Sequence, residues 1–315
     1  MKKIAPIDLS KLKTYPLGSR KSKVAVTDFA TPWKQGDRFT TFLDSLPSIL
    51  AADDLQAVIA AIVTAAREQK SIALGMGAHV IKVGLNPILI DLIQRGIITA
   101  VAMNGAGIIH DLELAMQGQT SEDVAASLGD GSFGMARETG EFLSQAIRTA
   151  GDKEIGLGLA MGKAILAADL PYQDKSLLAA CARLNIPATV HVALGTDIIH
   201  MHPGFDAAAA GEASHRDFRI FASVVATLEQ GVYLNVGSAV IMPEVFLKAT
   251  TLVRNLGSKL ENFTTVNMDF IRHYRPMTNV VHRPTSGGGH GYNLVGHHEI
   301  MLPLLAAGII ELLDG

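Results

Sequence analysis

Residues 71–114 read SIALGMGAHVIKVGLNPILIDLIQRGIITAVAMNGAGIIHDLEL, two strand–turn–helix steps in immediate succession. Ser71–Met76 is a short apolar run with Gly75 and Gly77 at its end, and Leu85–Arg95 has helical apolar spacing that stops at Gly96. Ile97–Met103 is a second apolar run, and Asn104-Gly105-Ala106-Gly107 then turns the chain into a helix near Ile108–Met116. Apolar strands that alternate with helices must lie parallel, with helices covering both faces of the sheet. The chain is therefore expected to be α/β, with a Rossmann-like, doubly wound and mostly parallel sheet. Small-residue turns at the carboxyl ends of such strands, each opening a helix, are where nucleotide phosphates bind.

The rest of the chain continues the pattern. Further strands are expected at Ala188–Leu194, Val232–Val236, Phe263–Met268 and Tyr292–Val295. Helices are expected near residues 41–66, 136–150, 156–168, 174–184, 216–229, 243–255 and 299–313. Thr120–Gly134 and Thr285–Gly291 read as loops. Residues 1–40, with the basic cluster Lys11–Lys23, read as a solvated arm, and residues 41–315 as one Rossmann-like domain. With 315 residues, 48% apolar and 18% charged, the chain can bury such a sheet. A net charge of −3 argues against a nucleic-acid partner. Cys181 is the one cysteine, so no intrachain disulfide forms, and its helical apolar setting marks it as a small buried residue. MKKIAPIDLSKLKTYPLGSRK has no apolar signal core, and no apolar run is long enough to span a membrane. A cytoplasmic protein acting on a small molecule is the expectation.

Four small-residue turns follow the strands: Gly75–Ala78, Asn104–Gly107, Gly195–Asp197 and Gly237–Ala239. In a doubly wound sheet they share one edge, where helix-start N–H groups favour a diphosphate. None fits G-x-G-x-x-G, so the standard dinucleotide fingerprint is absent. Histidines gather late in the chain, at 191, 200, 202, 282, 290, 297 and 298, and the His200-x-His202 and His297-His298-Glu299 groups are expected at that same edge. Imidazole suits proton transfer near neutral pH, which makes His200, His202 and His282 the acid–base candidates, with Arg275 or Arg283 as an anion anchor. Two alternatives stand beside this. His200, His202, His297 and His298, with a carboxylate from Asp197, Asp206 or Glu299, could hold a divalent metal and make a hydrolase or lyase. Hydrogen-bonded histidines in a non-catalytic nucleotide-binding protein would also fit. Lys259 is the last lysine, so a Schiff-base lysine on the final strands is excluded.

Residues 74–114 resemble the deoxyhypusine synthase family, most fully across Gly77–Leu114, with NGAG and a helix carrying Asp111 in its opening turns. The resemblance continues through IPATVHVALGTD, VYLNVGSAVI and MLPLLAAGI, in order along the chain from about residue 60. It implies an NAD-binding fold in a homo-oligomer, a tetramer or dimer, with NAD at a subunit interface. In that family of transferases NAD takes a hydride from a polyamine and returns it. The family's NAD contacts fall on Gly77, Ala78, Asn104, Gly105, Ala106, Asp197, Gly237, Asn267 and His297. The departures are chemical. The catalytic lysine after Trp-Gly is replaced within Val281-His282-Arg283-Pro284, the Lys-His-His step is Met242-Pro243-Glu244, and an acidic polyamine position is His202. The resemblance thus implies a diverged NAD-binding enzyme acting on a small substrate, and neither deoxyhypusine nor homospermidine synthesis.

Overall fold

The computed structural model describes residues 4–314. Six strands form one parallel sheet in the order β3-β2-β1-β4-β5-β6. They are β1 (Ile72–Met76), β2 (Ala100–Asn104), β3 (Ala188–His191), β4 (Val232–Val236), β5 (Thr264–Asp269) and β6 (His290–Val295). This is the order of doubly wound dinucleotide-binding sheets, with the topological switch between β1 and β4. Each half of the chain winds outward from that central pair.

The helices are, in chain order, α1 (Phe39–Asp44), α2 (Leu50–Arg67), α3 (His79–Lys82), α4 (Asn86–Gln94) and α5 (Gly105–Gln117). Then come α6 (Val124–Ser127), α7 (Arg137–Asp152), α8 (Leu157–Ala167), α9 (Leu177–Leu184) and α10 (Ala207–Ala226). The last are α11 (Ile241–Asn255), α12 (Tyr274–Pro276) and α13 (His298–Asp314). Some bounds differ from the sequence pattern for local reasons. α10 starts at Ala207 because the Asp206 side chain accepts from Ala209 N at 2.9 Å, an N-cap masked by the alanine run. β6 starts at His290, inside the stretch expected to be a loop, because His290 N donates to Phe263 O at 3.0 Å.

Alternation along the strands gives the sheet two unlike faces. Ile72, Leu74, Met76, Val101 and Met103 point into the larger core, with residues of α2, α4, α5, α7–α9 and α13. Ala73, Ala100 and Ala102 point the other way, toward Tyr233, Phe221 and Phe246 under α10 and α11. Small residues on β1 and β2 make room there for rings, and Tyr233 stacks on Phe246 at 3.8 Å. Gly75 belongs to this packing and not to a turn: a Cβ on it would stand 2.1 Å from the Tyr233 hydroxyl. Residues 4–38 lie along the outside, with Ile4, Ile7, Leu17, Val26 and Phe29 exposed. Their link to the body includes Thr31 N to Ser45 O at 2.9 Å and Ser48 N to Asp28 O at 3.1 Å.

Two buried aspartates tie loops to this frame. Asp111 accepts from Ser176 Oγ, Leu177 N, Leu178 N and Asn86 Nδ2, and so fixes the start of α9. Asp217 on α10 accepts from Gly158 N at 2.9 Å and Val190 N at 2.8 Å, joining α8 to β3. Burial pushes the Asp217 carboxyl up to about 7, against the opposing pull of those amides. The folded state therefore holds a proton that the unfolded chain, with an ordinary carboxyl near about 4, releases. Stability from this group is full below about pH 4 and declines as pH rises to about 7. Urea midpoints of the wild type and Asp217→Asn, compared across that window, should show a steeper decline in the wild type; parallel curves would contradict the assignment.

Candidate active site

The switch point is a place of close backbone approach. Gly77 follows β1 and Gly237 follows β4, and Gly77 N donates to Val236 O at 3.0 Å. A Cβ on Gly77 would lie 2.1 Å from the Gly237 carbonyl oxygen. Gly237 has φ +65°, in the left-handed region, and a Cβ there would meet His298 Nε2 at 2.8 Å. Glycine is thus demanded at both positions by contact, and at Gly237 by conformation as well. The β4 turn is held from below by an asparagine ladder, buried at Asn235 and Asn267 and half-buried at Asn293. Asn235 Nδ2 donates to Ser238 O at 2.9 Å and Asn267 Oδ1 at 2.8 Å, and Asn267 Nδ2 donates to Asn293 Oδ1 at 2.8 Å. The three asparagines occupy matched positions on β4, β5 and β6. Asn267, expected to touch a cofactor, spends its side chain on this ladder.

The next turn along the edge is built around a carboxylate. Asn104 caps α5, its Oδ1 accepting from Gly107 N at 3.2 Å. Asp197 lies against Gly105, where a Cβ would come within 2.1 Å of its Oδ2. That Oδ2 is buried with no hydrogen-bond partner. Burial raises the carboxyl's pKa, against the opposing effects of His200 and Thr196. His200 Nδ1 accepts from Gly195 N at 3.1 Å and Asp197 N at 3.3 Å, while its buried Nε2 has no partner. His200 therefore shapes the Asp197 turn.

Beside the Gly237 turn stands a group of rings in which two of the expected histidines, His297 and His298, meet His79 and Phe270. His298, the first residue of α13, is fully buried, with both ring nitrogens unpartnered and Nε2 3.8 Å from Asp269 Oδ1. Burial lowers its pKa, opposed by the Asp269 charge. His79 and Phe270 pack around it with ring centroids 5.8 and 6.2 Å away, and exposed His297 lies parallel to Phe270 at 6.0 Å. A cavity of 220 Å³ opens beside Ala106 and Asp197, lined also by Lys82, His110 and Glu113. The sequence carries a signal for it: His110 and Glu113 are three apart on α5 and share a face.

The remaining expected residues go elsewhere. His202 Nε2 is paired with Gly134 O at 2.9 Å, and its ring fills the space over Gly140 of α7. His282 is exposed at the opposite edge of the sheet. Its segment packs on the first residues of β5 and β6, through Thr265 Oγ1 to Val280 O at 2.7 Å and Gly291 against Val281 O. Arg275 faces Glu244 at 3.5 Å, and Arg283 donates to Asn279 Oδ1 at 2.9 Å.

The four histidines of the metal alternative lie on separate segments, His200 and His202 after β3 and His297 and His298 after β6. Among the described residues, no three His, Cys, Asp or Glu side chains come together in a way that could hold a metal ion. No described helix is long and apolar enough to cross a membrane.

No protein-family profile matches the chain, and no curated protein matches it in sequence. Solved structures do match in fold. A putative deoxyhypusine synthase from Entamoeba histolytica superposes with a TM-score of 0.54 at 13% identity, over 90% of this chain and 96% of that one. AgrE, solved in a ternary complex with ornithine and NAD⁺, gives 0.56 at 14% identity over 84% of this chain. A conserved putative LOR/SDH protein from Methanococcus maripaludis S2 gives 0.53 at 14% identity, over 84% of this chain and 71% of that one. The chain spans 34% of the length of AgrE. The fold is the deoxyhypusine synthase-like one, in a strongly diverged sequence.

The glycine contacts separate cleanly by experiment. Gly77→Ala drives a methyl group into the Gly237 backbone and should cost at least about 1–3 kcal/mol in urea unfolding. Gly211→Ala, in α10 with nothing within 4 Å of the added Cβ, should instead stabilise by about 0.5–1 kcal/mol. Equal stability of the two variants would contradict the close approach.

Proposed function

We propose that this protein is an enzyme that binds NAD across the crevice between the β1 and β4 turns and uses it on a small substrate. The observation that carries this reading is the orphaned, buried Oδ2 of Asp197 beside the Gly105 start of α5. A buried acceptor without a partner is costly, and a ribose hydroxyl is a donor of the right size to satisfy it. The residues of the edge suit the remainder of a dinucleotide. Gly77 and Gly237 let the two turns meet backbone to backbone, Ala78 adds only a methyl group beside them, and Asn104, Gly105 and Ala106 present the amides of a helix start. Phe270 and His297 offer exposed rings against which a base can stack. The bound cofactor would supply a hydride acceptor. The chain's own part is to hold it, to orient the substrate and to take or return a proton. The ornithine and NAD⁺ held by AgrE, a structural neighbour, support the pairing of NAD with a small substrate.

Without a lysine after Lys259, the chemistry proposed is oxidoreduction or a related transfer with no Schiff base on the last strands. We also infer a cytoplasmic homo-oligomer, dimer or tetramer, because the apolar side chains along residues 4–38 are left uncovered in the single chain. Light scattering of the purified protein tests the assembly, and a monomer would count against it. Calorimetric titration with NAD⁺ tests the cofactor. The wild type should bind, and Asp197→Asn should weaken binding about 10- to 100-fold, the loss of a hydrogen bond to a charged group. Equal affinity in wild type and variant would remove Asp197 from the site, and no binding to the wild type would remove the reading.

A further inference from the structure

The 220 Å³ cavity at the α5 end of the edge has a chemistry of its own. Its walls come from α5, with His110 and Glu113, from Lys82 of α3, from Thr196–Ile198, and from Ser121, Glu122, Val124 and Phe133. At about 30 Å³ for each water it holds about seven, too few for a dinucleotide and enough for a small acid. His110 and Glu113 of its wall belong to a three-residue relay completed by Thr120. Thr120 Oγ1 donates to Glu113 Oε2 at 2.6 Å, because an ionised carboxylate only accepts. The same hydroxyl lies 2.6 Å from His110 Nδ1, and with its one hydrogen committed it must accept there. His110 is thereby fixed as the Nδ1–H tautomer, with the Nε2 lone pair left for a ligand.

The charges around the cavity are unequally satisfied. Glu113 also takes Thr139 Oγ1 at 3.3 Å, and Glu122 takes Gly134 N at 2.9 Å. Asp197 lies at the start of α5, where the helix dipole favours it. Lys82 makes no ion pair among the described residues. It is the one cation among the lining residues and is free to meet an anionic group. Its field acts against that of the Glu113 carboxylate, whose Oε2 lies 4.0 Å from His110 Nδ1, and a neutral hydroxyl facing Nε2 adds no charge to the set.

We propose that this cavity is the substrate pocket, that it takes a small hydroxycarboxylic acid with its carboxylate on Lys82 and its hydroxyl on His110 Nε2, and that His110 is the proton acceptor. This rests on the dinucleotide reading for the electron acceptor only. In the oxidative direction the substrate O–H bond breaks to Nε2 and its electron pair closes the C=O bond. A bound NAD⁺ would supply the two-electron acceptor for the carbinol hydrogen and its bonding pair, while His110 holds the proton. Burial, and then Lys82, hold the His110 imidazole down to about 4, so it is neutral and able to accept. A carboxylate bound to Lys82 offsets that second cause and should raise the value.

The test is ¹⁵N NMR of the full chain with labelled histidine, using lactate as probe and propionate as the isosteric acid without the hydroxyl. His110 should appear as the Nδ1–H tautomer, and Thr120→Val should release it to a mixture. Lactate should shift the Nε2 resonance and raise the His110 pKa, propionate should not shift Nε2, and Lys82→Met should weaken lactate binding about tenfold. An Nε2–H tautomer in the wild type, no response to lactate, or the same response to both acids would overturn the proposal. NAD⁺ added separately reads the amides of Gly77, Gly105 and Gly237. If these respond while lactate is silent, the pocket assignment fails and the cofactor reading stands.

Discussion

The contact between the β1 and β4 turns governs what the rest of this protein can do. Two glycines meet there at a separation that leaves no room for a single methyl group. That contact is possible because β1 and β4 are hydrogen-bonded neighbours while their following helices leave to opposite sides. The crevice that results is a consequence of topology, and the side chains around it are placed by the strands that end there. Asn235, Asn267 and Asn293 stiffen one wall from inside the sheet, and the Asn104 cap sets the direction of α5 on the other. Buried polar groups of this kind are costly unless satisfied, so the ladder ties the turn geometry to the register of three strands.

Unsatisfied groups of two kinds, carboxylate and imidazole, stand near the carboxyl edge of the sheet. Asp197 Oδ2, His200 Nε2 and both nitrogens of His298 are buried without partners, although most buried polar atoms in a folded protein find one. Tyr233 and Thr250 carry orphaned hydroxyls too, but lie inside the core beneath α11, where no ligand reaches. The difference is position: a lone pair at the carboxyl edge can be met by a bound molecule, whereas one under a helix is a cost offset by packing.

Much of the architecture is legible in the sequence because it is written locally. Apolar runs followed by small-residue turns mark each strand, and the glycines at 77, 105 and 237 fall where the edge needs them. Strand order is not local, and it decided the histidines. His200 and His298 look like members of one cluster along the chain, yet β3 and β6 are the outermost strands. His282 looked like an edge residue because β5 precedes it, but residues 277–282 carry the chain back to the starting edge before β6. Gly75 read as a turn because its real constraint, the Tyr233 hydroxyl, lies one strand away. The His110–Thr120–Glu113 relay escaped notice for a similar reason: two members share a helix face, and the third returns from a loop.

The account stands or falls on what occupies the switch-point crevice. A crystal structure of the protein grown with NAD⁺ measures this most directly. The account predicts a dinucleotide lying over Gly77 and Gly237, with a ribose hydroxyl on Asp197 Oδ2. A crevice left empty at saturating NAD⁺, or NAD⁺ bound away from Asp197 and the two glycines, would contradict it.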